Sequence, residues 1–306
     1  MPARILDLPF EPGSLRGLSP GLINSHHQNN YGGAVKRVQA IRAQLAATAF
    51  GKAAGFELNG LKREELIATN SMLLHELYFA SLGGDGVTME PAMKLALEAN
   101  FGPIERWREE FVACAKALGG GSGWMLLMFQ PREASLVNQW AADHTHAVAG
   151  GVPILALDMY EHAYHMDYGA AAAAYVDVFM DNIDWAAVYR RYQLAVTAAS
   201  EPFGASLEEL GDAQLLDVRR AGVYQQAGTM IPGARWCDPA AVGRWADELQ
   251  AGRDLVVYCV HGHEVSRATA LRLRAAGLPA RFLRGGIDGW RAAGRPLVEK
   301  PAGSTS

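Results

Sequence analysis

The chain has 306 residues, half of them hydrophobic, and its 28 Lys and Arg against 32 Asp and Glu give a formal net charge of -4. This length exceeds the usual size of one globular domain and favours two domains of unequal length. The charged residues are mixed rather than clustered into a basic stripe, which argues against nucleic acid as a partner.

The N-terminus, the apolar runs and the cysteines bear on the compartment. Residues 1–13 carry charged side chains and no long apolar run, so we expect no secretory signal. The longest apolar runs, such as residues 124–129 and 170–176, are far too short to cross a membrane. Three widely spaced cysteines are an unsuitable disulfide framework. We therefore expect a soluble cytoplasmic protein without a membrane partner.

The first part of the chain has helical periodicity. Apolar residues recur at about one helical turn between residues 18 and 82, and residues 51–60 separate two arms. This pattern predicts a helical hairpin. His26 lies near the start of the first arm and His75 near the end of the second, so antiparallel packing would bring both histidines to the same end.

The next part mixes helices and strands. The sequence predicts a helix over residues 100–118, a glycine-rich break, and strands over residues 124–129 and 154–157. Asp158 directly follows the second of these strands. Residues 175–192 predict a final amphipathic helix.

A change of rhythm divides the chain. Residues 198–206, which include Pro202 and Gly204, predict a linker between domains at 1–197 and 207–300. Beyond it, short strands alternate with helices, which predicts a parallel sheet flanked by helices. The predicted strands are 215–218, 255–258 and 281–283, and the predicted helices are 242–249, 265–276 and 287–293. Residues 301–306 predict a disordered tail.

Four residues form a candidate metal site. Asp158 and His162 are four apart, so one helical turn after a strand end would direct both side chains at one point. Together with His26 and His75 they offer three neutral imidazoles and one carboxylate, which cancel only part of the charge of a trivalent first-row metal. Such a site favours redox chemistry on a small anion over hydrolysis. Glu161 could orient a ligating imidazole.

Residues 1 to about 195 resemble the iron/manganese superoxide dismutases. The resembling segments are Leu8-Pro9-Phe10, Ser25-His26-His27, His75 with Tyr78-Phe79, Asn100-Phe101-Gly102, Gly121-Ser122-Gly123-Trp124, Leu157 to Tyr164, and Asn182-Ile183-Asp184-Trp185. The resemblance implies an α+β domain in which the helical hairpin precedes an α/β half with a small antiparallel sheet. It also implies one iron or manganese ion per chain, bound by the four residues above, with superoxide as substrate and Glu161 reaching a ligand of the partner subunit in a homodimer or higher homo-oligomer.

Several positions depart from the family pattern. Asn30 and Ala34 stand where the family has an outer-sphere His and a gateway Tyr. Tyr31 could supply a phenol from another direction, although Gly32 and Gly33 weaken the helix there by about 1 kcal/mol each. His144 could hydrogen-bond solvent on the metal, or it could be an ordinary polar loop residue.

Cys259 is the candidate nucleophile of the second domain. It follows the predicted strand 255–258 and precedes a loop, Val260-His261-Gly262-His263-Glu264, that leads into a helix. Backbone N–H groups and the positive end of a helix stabilise a thiolate and can hold a persulfide or an anion. The alternative is a small buried residue at a strand end. Cys114 and Cys237 lack such a setting and are interpreted as structural.

Residues 207 to about 297 resemble rhodanese domains. The resembling segments are Leu216-Asp217-Val218-Arg219, Ile231-Pro232-Gly233-Ala234, Tyr258-Cys259 and Leu283 to Trp290. The resemblance implies an α/β domain in which Cys259 carries a persulfide. Glu264 replaces the loop arginine that assists thiosulfate binding, and a carboxylate there should repel an anionic donor. His261 and His263 could compensate when protonated, or could bind a metal or an oxyanion.

Three hypotheses follow for the whole chain. The leading one is a superoxide dismutase fused to a sulfurtransferase that uses Cys259. The second is a metal-binding dimerisation scaffold with little turnover that carries the sulfurtransferase. The third is a binding protein that senses an oxyanion or a metal through His261, Cys259 and His263. The sequence leaves open the metal, the sulfur donor and acceptor, and any coupling between the domains.

Overall fold

The computed structural model describes residues 3–119, 121–249 and 252–301. The chain divides into two compact units. The first unit comprises Met1–Met89, Arg108–Met128 and Asn138–Val188, and the second comprises Glu90–Trp107, Phe129–Val137 and Tyr189–Ser306.

The helices and strands follow in chain order. The helices are α1 (Pro20–Ser25), α2 (Gly32–Ala46), α3 (Gly55–Phe79), α4 (Pro91–Phe101), α5 (Ile104–Ala117), α6 (His165–Tyr168), α7 (Ala172–Asp181), α8 (Trp185–Ser200), α9 (Ala221–Gln226), α10 (Val242–Trp245), α11 (Glu264–Ala275) and α12 (Gly286–Ala292). The strands are β1 (Trp124–Gln130), β2 (Ser135–Ala141), β3 (Val152–Asp158), β4 (Gly204–Ala205), β5 (Gln214–Asp217), β6 (Thr229–Met230), β7 (Arg235–Trp236), β8 (Leu255–Tyr258), β9 (Ala280–Leu283) and β10 (Val298–Glu299).

The predicted helical hairpin is confirmed by α2 and α3. The apolar stripe of α2, which includes Val35, Val38 and Ile41, is buried. Immediately before α2 the chain forms a π-helical segment, His26–Tyr31, that carries the first candidate ligand. A π-helical segment is rare and occurs mostly at functional sites. It turns the side chains of His26 and Tyr31 into the interior, where both are buried.

The middle of the chain differs from the prediction in three places. The helix predicted over residues 100–118 corresponds to α5 but begins only at Ile104, because Gly102, with a positive φ of 81°, ends α4 and Pro103 follows it. Strand β2 was not predicted. The helix predicted over residues 175–192 is interrupted between α7 and α8. At the interruption, the Asn182 side chain accepts a hydrogen bond from the Arg16 backbone N–H and donates one to the Arg16 carbonyl oxygen.

A small sheet supplies one of the candidate ligands. Its strand order is β2-β1-β3, and the predicted small antiparallel sheet is confirmed. The buried residues of β3 are consecutive, from Ile154 to Asp158. Asp158, the last residue of this strand, is therefore an acidic side chain held fully inside the protein.

The predicted parallel sheet of the second unit is confirmed. Its strands run parallel in the order β4-β9-β8-β5-β7. Alternate residues of the central strand β8 enter two different hydrophobic clusters, Val257 on one face and Val256 on the other, so both faces of the sheet are covered. Cys259 follows β8 at its carboxyl end, where parallel sheets place their functional loops.

Residues 198–206, the predicted linker, contain the end of α8, a 3-10 turn at Glu201–Phe203 and strand β4, which pairs with β9. The predicted domain boundaries at this segment stay predictions. Of the predicted disordered tail, residues 302–306 lie outside the described residues. Within the described residues, no helix combines the length and apolarity that a membrane span requires.

Candidate metal centre and cysteine loop

The four predicted metal ligands lie together in the first unit. One potential ligand atom from each of His26, His75, Asp158 and His162 lies within 4.8 Å of the others. They come from four elements: the π-helical segment, α3, the end of β3 and the 3-10 turn Glu161–Ala163, of which only the last two are close in sequence. The first three side chains are fully buried, whereas the His162 side chain is 25% exposed. A small molecule could therefore reach the cluster from the His162 side.

The distances within the cluster fit a metal ion. Asp158 Oδ2 lies 3.1 Å from His26 Nε2, 3.1 Å from His162 Nε2 and 3.4 Å from His75 Nε2. The His75 and His162 Nε2 atoms are 3.3 Å apart. Metal–ligand bonds of about 2.1 Å that meet at 90–120° separate ligand atoms by about 3.0–3.6 Å. These four distances thus fall in the range expected between neighbouring ligand atoms of a first-row metal.

Neighbouring backbone groups orient two of these ligands. His75 Nδ1 lies 2.6 Å from the Ser71 carbonyl oxygen, so Nδ1–H donates there and Nε2 presents its lone pair to the cluster. Asp158 Oδ1 accepts a hydrogen bond from the Tyr160 backbone N–H at 2.9 Å, which leaves Oδ2 directed at the three imidazoles. Such contacts fix the tautomer and orientation of ligands in metal sites. The donor set and its supports therefore fit an iron or manganese ion.

The electrostatics of the cluster favour the ligating forms of His26, His75 and Asp158, whereas the raised pKa of His162 favours its protonated form. Burial lowers the pKa of His26 and lowers the pKa of His75 to about 3, so both rings are neutral at pH 7. Burial alone would raise the pKa of Asp158, but His162 and His26 outweigh it and lower that pKa. Burial alone would lower the pKa of His162, but the charge of the Asp158 carboxylate and its hydrogen bond together raise this pKa. Asp158 is consequently ionised.

Tyr31 lies next to the cluster without a hydrogen bond to any of its four members. Its ring is stacked beside His75 with 6.5 Å between ring centroids. Its hydroxyl accepts from the Leu6 backbone N–H at 2.9 Å and donates to Glu76 Oε1 at 3.0 Å. Burial raises the pKa of Tyr31 to about 12. The phenol therefore remains protonated and is engaged with Glu76.

His144 belongs to a stack of rings that ends at the cluster. Its ring is parallel to that of Tyr160 at 4.8 Å, and Tyr160 is in turn parallel to His162 at 5.4 Å. Trp124 Nε1–H donates to His144 Nδ1 at 2.9 Å, which makes Nδ1 the acceptor and places the proton of neutral His144 on Nε2. Burial lowers the pKa of His144. The third predicted catalytic residue of this unit, Glu161, is solvent-exposed.

Cys259 lies in the second unit, in the loop between β8 and α11. The thiol is 6% exposed, and its Sγ lies 3.2 Å from the hydroxyl of Ser266 on α11. The Cys259 carbonyl accepts from the Ile287 N–H at 3.0 Å. At Gly286, which has a φ of 56°, a Cβ atom would lie 2.5 Å from the Cys259 carbonyl oxygen. Only glycine permits this close approach of α12 to the loop.

The other loop residues differ in their exposure. His261 is 59% exposed, and its Nδ1 lies 2.8 Å from Asp288 Oδ2. The ring of His263 lies 5.4 Å from that of His261. Glu264, in contrast, is 8% exposed and accepts hydrogen bonds from Tyr189 at 2.7 Å and from Gln193 at 3.1 Å. Its carboxylate is thus engaged with α8 rather than free in the loop.

Several residues of these sites were not identified as functional from the sequence. Ser71 and Tyr160 act through backbone groups, which carry no sequence signal. Ser266 is an ordinary polar residue within a predicted helix. Trp124 and Tyr160 lie within segments that resemble the superoxide dismutase family, but neither segment indicated the contacts described here.

Comparisons with known proteins match two parts of the chain. A model of the C-terminal domain of iron/manganese superoxide dismutases matches residues 89–191, and a rhodanese-like domain model matches residues 205–293. An iron superoxide dismutase of Cupriavidus metallidurans is 63% identical over 186 residues, which cover 61% of this chain and 94% of that protein.

More distant relatives include both metal types. An iron superoxide dismutase of Aquifex pyrophilus is 33% identical over 62% of this chain and 91% of its own length. A manganese superoxide dismutase of Haloferax volcanii is 34% identical over 62% of this chain and 94% of its own length.

Proposed function

The chain belongs to the iron/manganese superoxide dismutases and is an enzyme of that type, and from this premise we propose that it dismutates superoxide at one iron or manganese ion per chain. The proposed ligands are His26, His75, Asp158 and His162. The observation that carries the proposal is the convergence of their four ligand atoms within 4.8 Å. Both iron and manganese accept this set of ligands, so the proposal does not choose between them.

The charge of the proposed site suits an anionic substrate. Three neutral imidazoles and one carboxylate contribute a single negative charge, so a divalent or trivalent ion keeps a net positive charge that attracts superoxide. When bound there, iron or manganese would supply the one-electron redox chemistry that yields dioxygen and hydrogen peroxide. The surrounding residues exclude bulk water, because His26, His75 and Asp158 are fully buried.

Formation of hydrogen peroxide consumes two protons, and two groups near the site hold protons at defined atoms. The Tyr31 hydroxyl holds one proton and donates a hydrogen bond to Glu76. Glu76 is partly exposed and so links the phenol to solvent. His144 holds one on Nε2 because its Nδ1 accepts from Trp124. We assign both residues to outer-sphere roles in proton supply, with Trp124 and Glu76 as the residues that orient them.

The oligomer, the compartment and the second unit complete the proposal. Exposed Glu161 is suited to contact a partner subunit in a homodimer, and the expected compartment is the cytoplasm. In the second unit, Cys259 would carry a persulfide received from a small sulfur donor. This assignment is supported by the rhodanese-like match over residues 205–293 and by the Ser266 hydroxyl 3.2 Å from the thiol.

Metal content and superoxide turnover, measured on the same preparation, test the dismutase proposal. We expect close to one iron or manganese ion per chain, and turnover that His162→Ala abolishes. A wild-type protein that carries neither metal would overturn the proposal. For the second unit, Cys259→Ser is expected to abolish persulfide transfer without changing superoxide turnover, and transfer that persists in this variant would exclude Cys259 as the carrier.

A second candidate function is a metal-binding scaffold with little turnover. It is favoured by the Tyr31 hydroxyl, which is engaged with Leu6 and Glu76 rather than with the cluster, and by Asn30 and Ala34 at the departing positions. The same preparation separates the two functions. A full complement of metal with only background turnover would identify the scaffold, and robust turnover lost in His162→Ala would identify the enzyme.

A further inference from the structure

Two sets of hydrogen bonds connect the loop that carries Cys259, and the start of α11 after it, to residues 189–201, which precede strand β4. On one side, the carboxylate of Glu264, the first residue of α11, accepts hydrogen bonds from Tyr189 and Gln193. These two residues are four apart and therefore lie on the same face of α8. All three belong to the second unit. They hold the end of the loop from the α8 side.

A second set of contacts lies one helical turn further along α11. Arg267 donates from Nε to the loop carbonyl of Gly262 at 3.0 Å. The same guanidinium donates from NH1 to the Ser200 hydroxyl at 3.1 Å and to Glu201 Oε2 at 2.9 Å. Ser200 is fully buried, and Arg267 is only 14% exposed. Arg267 thus joins the loop backbone to the end of α8.

We infer that Glu264 and Arg267 are positioning residues for Cys259, and that residues 189–201, which precede the rhodanese-like match, form part of the sulfur-transfer site by holding the Cys259 loop. The inference rests on the proposed role of Cys259 as a sulfur carrier. It adds that α8 fixes the direction in which the thiol meets its donor. The rhodanese-like match begins only at residue 205, so residues 189–201, which hold the loop, lie outside it.

The hydrogen-bond partners of Glu264 are consistent with this role. Burial and the neighbouring Glu264 carboxylate raise the pKa of Tyr189, so its hydroxyl stays a hydrogen-bond donor across the physiological range. Because both carboxylate oxygens accept hydrogen bonds, the replacement of a loop arginine by Glu264 does not leave a buried charge without partners. The loop residues 260–263 themselves contain no lysine or arginine.

This arrangement also points to the class of sulfur donor. With no loop lysine or arginine to bind a dianion such as thiosulfate, we assign a persulfide of low charge, R–S–SH, as the donor. The Cys259 thiolate would attack the outer sulfur, forming a new S–S bond while the original S–S bond breaks. The thiolate R–S⁻ leaves and takes a proton from solvent, and Cys259–S–SH keeps the proton of the donor's outer sulfur. A zero-valent sulfur atom is transferred, so no external oxidant or reductant is required.

Two readouts on the full-length protein test the inference. The first is the rate of persulfide transfer from glutathione persulfide to a thiol acceptor, and the second is the rate at which iodoacetamide alkylates Cys259, followed by mass spectrometry. The variants are Glu264→Leu, its conservative counterpart Glu264→Gln, and Tyr189→Phe. The matched control is Tyr192→Phe, which removes a hydroxyl from the same helix but contacts no loop residue in the described hydrogen bonds.

In Glu264→Leu we expect transfer to fall about tenfold, through kcat rather than KM, because a freed loop misplaces the sulfur. Alkylation of Cys259 should rise several-fold in the same variant, since the thiol becomes more exposed. Glu264→Gln should retain most transfer because it still accepts from Tyr189, and Tyr189→Phe should show an intermediate loss. Superoxide turnover should stay unchanged in every variant.

Three results would overturn the inference. One is that both rates in Glu264→Leu and Tyr189→Phe remain within about twofold of the wild type and of Tyr192→Phe. Another is that alkylation falls together with transfer, which would mean that these contacts act on ionisation of the thiol. The third is faster transfer from thiosulfate than from the persulfide. If the wild type transfers no sulfur at all, the proposed function of Cys259 fails, whereas the alkylation rates still test whether α8 holds the loop.

Discussion

The two candidate sites are built in opposite ways. The candidate metal cluster collects His26, His75, Asp158 and His162 from four elements spread over 137 sequence positions, whereas the proposed sulfur site has one proposed nucleophile in one loop, Cys259. In the first site, function depends on long-range packing that brings distant side chains to one point. In the second, the strand end and the helix start already define the loop, and distant residues such as Tyr189 only hold it in place.

The difference predicts that the two sites fail independently and to different degrees. Loss of one ligand breaks a shared coordination shell, whereas loss of one loop support displaces the nucleophile without removing it. Four measurements test this difference, and they follow in order of decreasing expected effect.

The largest effect is expected for Asp158→Ala. This change removes the carboxylate of the proposed ligand set, which is itself fully buried, so metal content should fall close to zero and superoxide turnover should fall about a hundredfold or more. Metal analysis and turnover on the purified variant check this result. Persulfide transfer should be unaffected. The control is Asp177→Ala, which removes an exposed carboxylate paired with Lys116 and should leave metal content unchanged.

Removal of the metal is expected to destabilise the first unit. A metal concentration a hundred times the dissociation constant stabilises the folded state by about 2.7 kcal/mol, so the chelated protein should unfold at lower temperature. Calorimetry of the metal-loaded and chelated forms measures the shift. Cys259→Ser provides the control, since its shift should equal that of the wild type. Identical melting of the two forms would contradict a structural contribution of the metal.

A smaller effect is expected for Trp124→Phe. The substitution removes the donor to His144 Nδ1 and leaves this ring nitrogen without its partner, which should lower the free energy of unfolding by about 1–3 kcal/mol. Urea denaturation measures this change. Trp140→Phe is the matched control, because Trp140 is 52% exposed and its loss should have little effect. Equal stability of the two variants would show that the Trp124 contact to His144 is unimportant.

The smallest effect concerns the pH dependence contributed by Glu201. Arg284 and Arg267 hold the pKa of this exposed carboxylate below its ordinary value. Its contribution to stability is therefore present above the pKa of about 4.3 in the unfolded chain, and it is lost as the pH falls through the lower folded-state pKa. Glu201→Gln should flatten the pH dependence of unfolding below about pH 5, whereas Glu248→Gln should not. Identical slopes in both variants would refute this contribution.

The helices and strands that could be predicted from the sequence are those whose signal lies in neighbouring residues. The strands β5, β8 and β9 were predicted to within one residue at each end, and the helical hairpin was predicted with a break that extends into α3, because the apolar periodicity of these elements is contained in neighbouring positions. Strand β2 was missed because its burial pattern does not alternate, and the interruption after α7 was missed because the side chain of Asn182 bonds Arg16, far away in the sequence.

The sequence alone determined which residue types were available: three histidines and an aspartate in family order, and one cysteine between a strand and a helix. The tertiary structure decided how these residues are used. It directs the Tyr31 hydroxyl to Glu76, aligns His144 with Tyr160, and engages Glu264 with α8. The physical reason is that a hydrogen-bond partner is chosen by proximity in the folded chain, and no spacing along the sequence records which distant groups will meet.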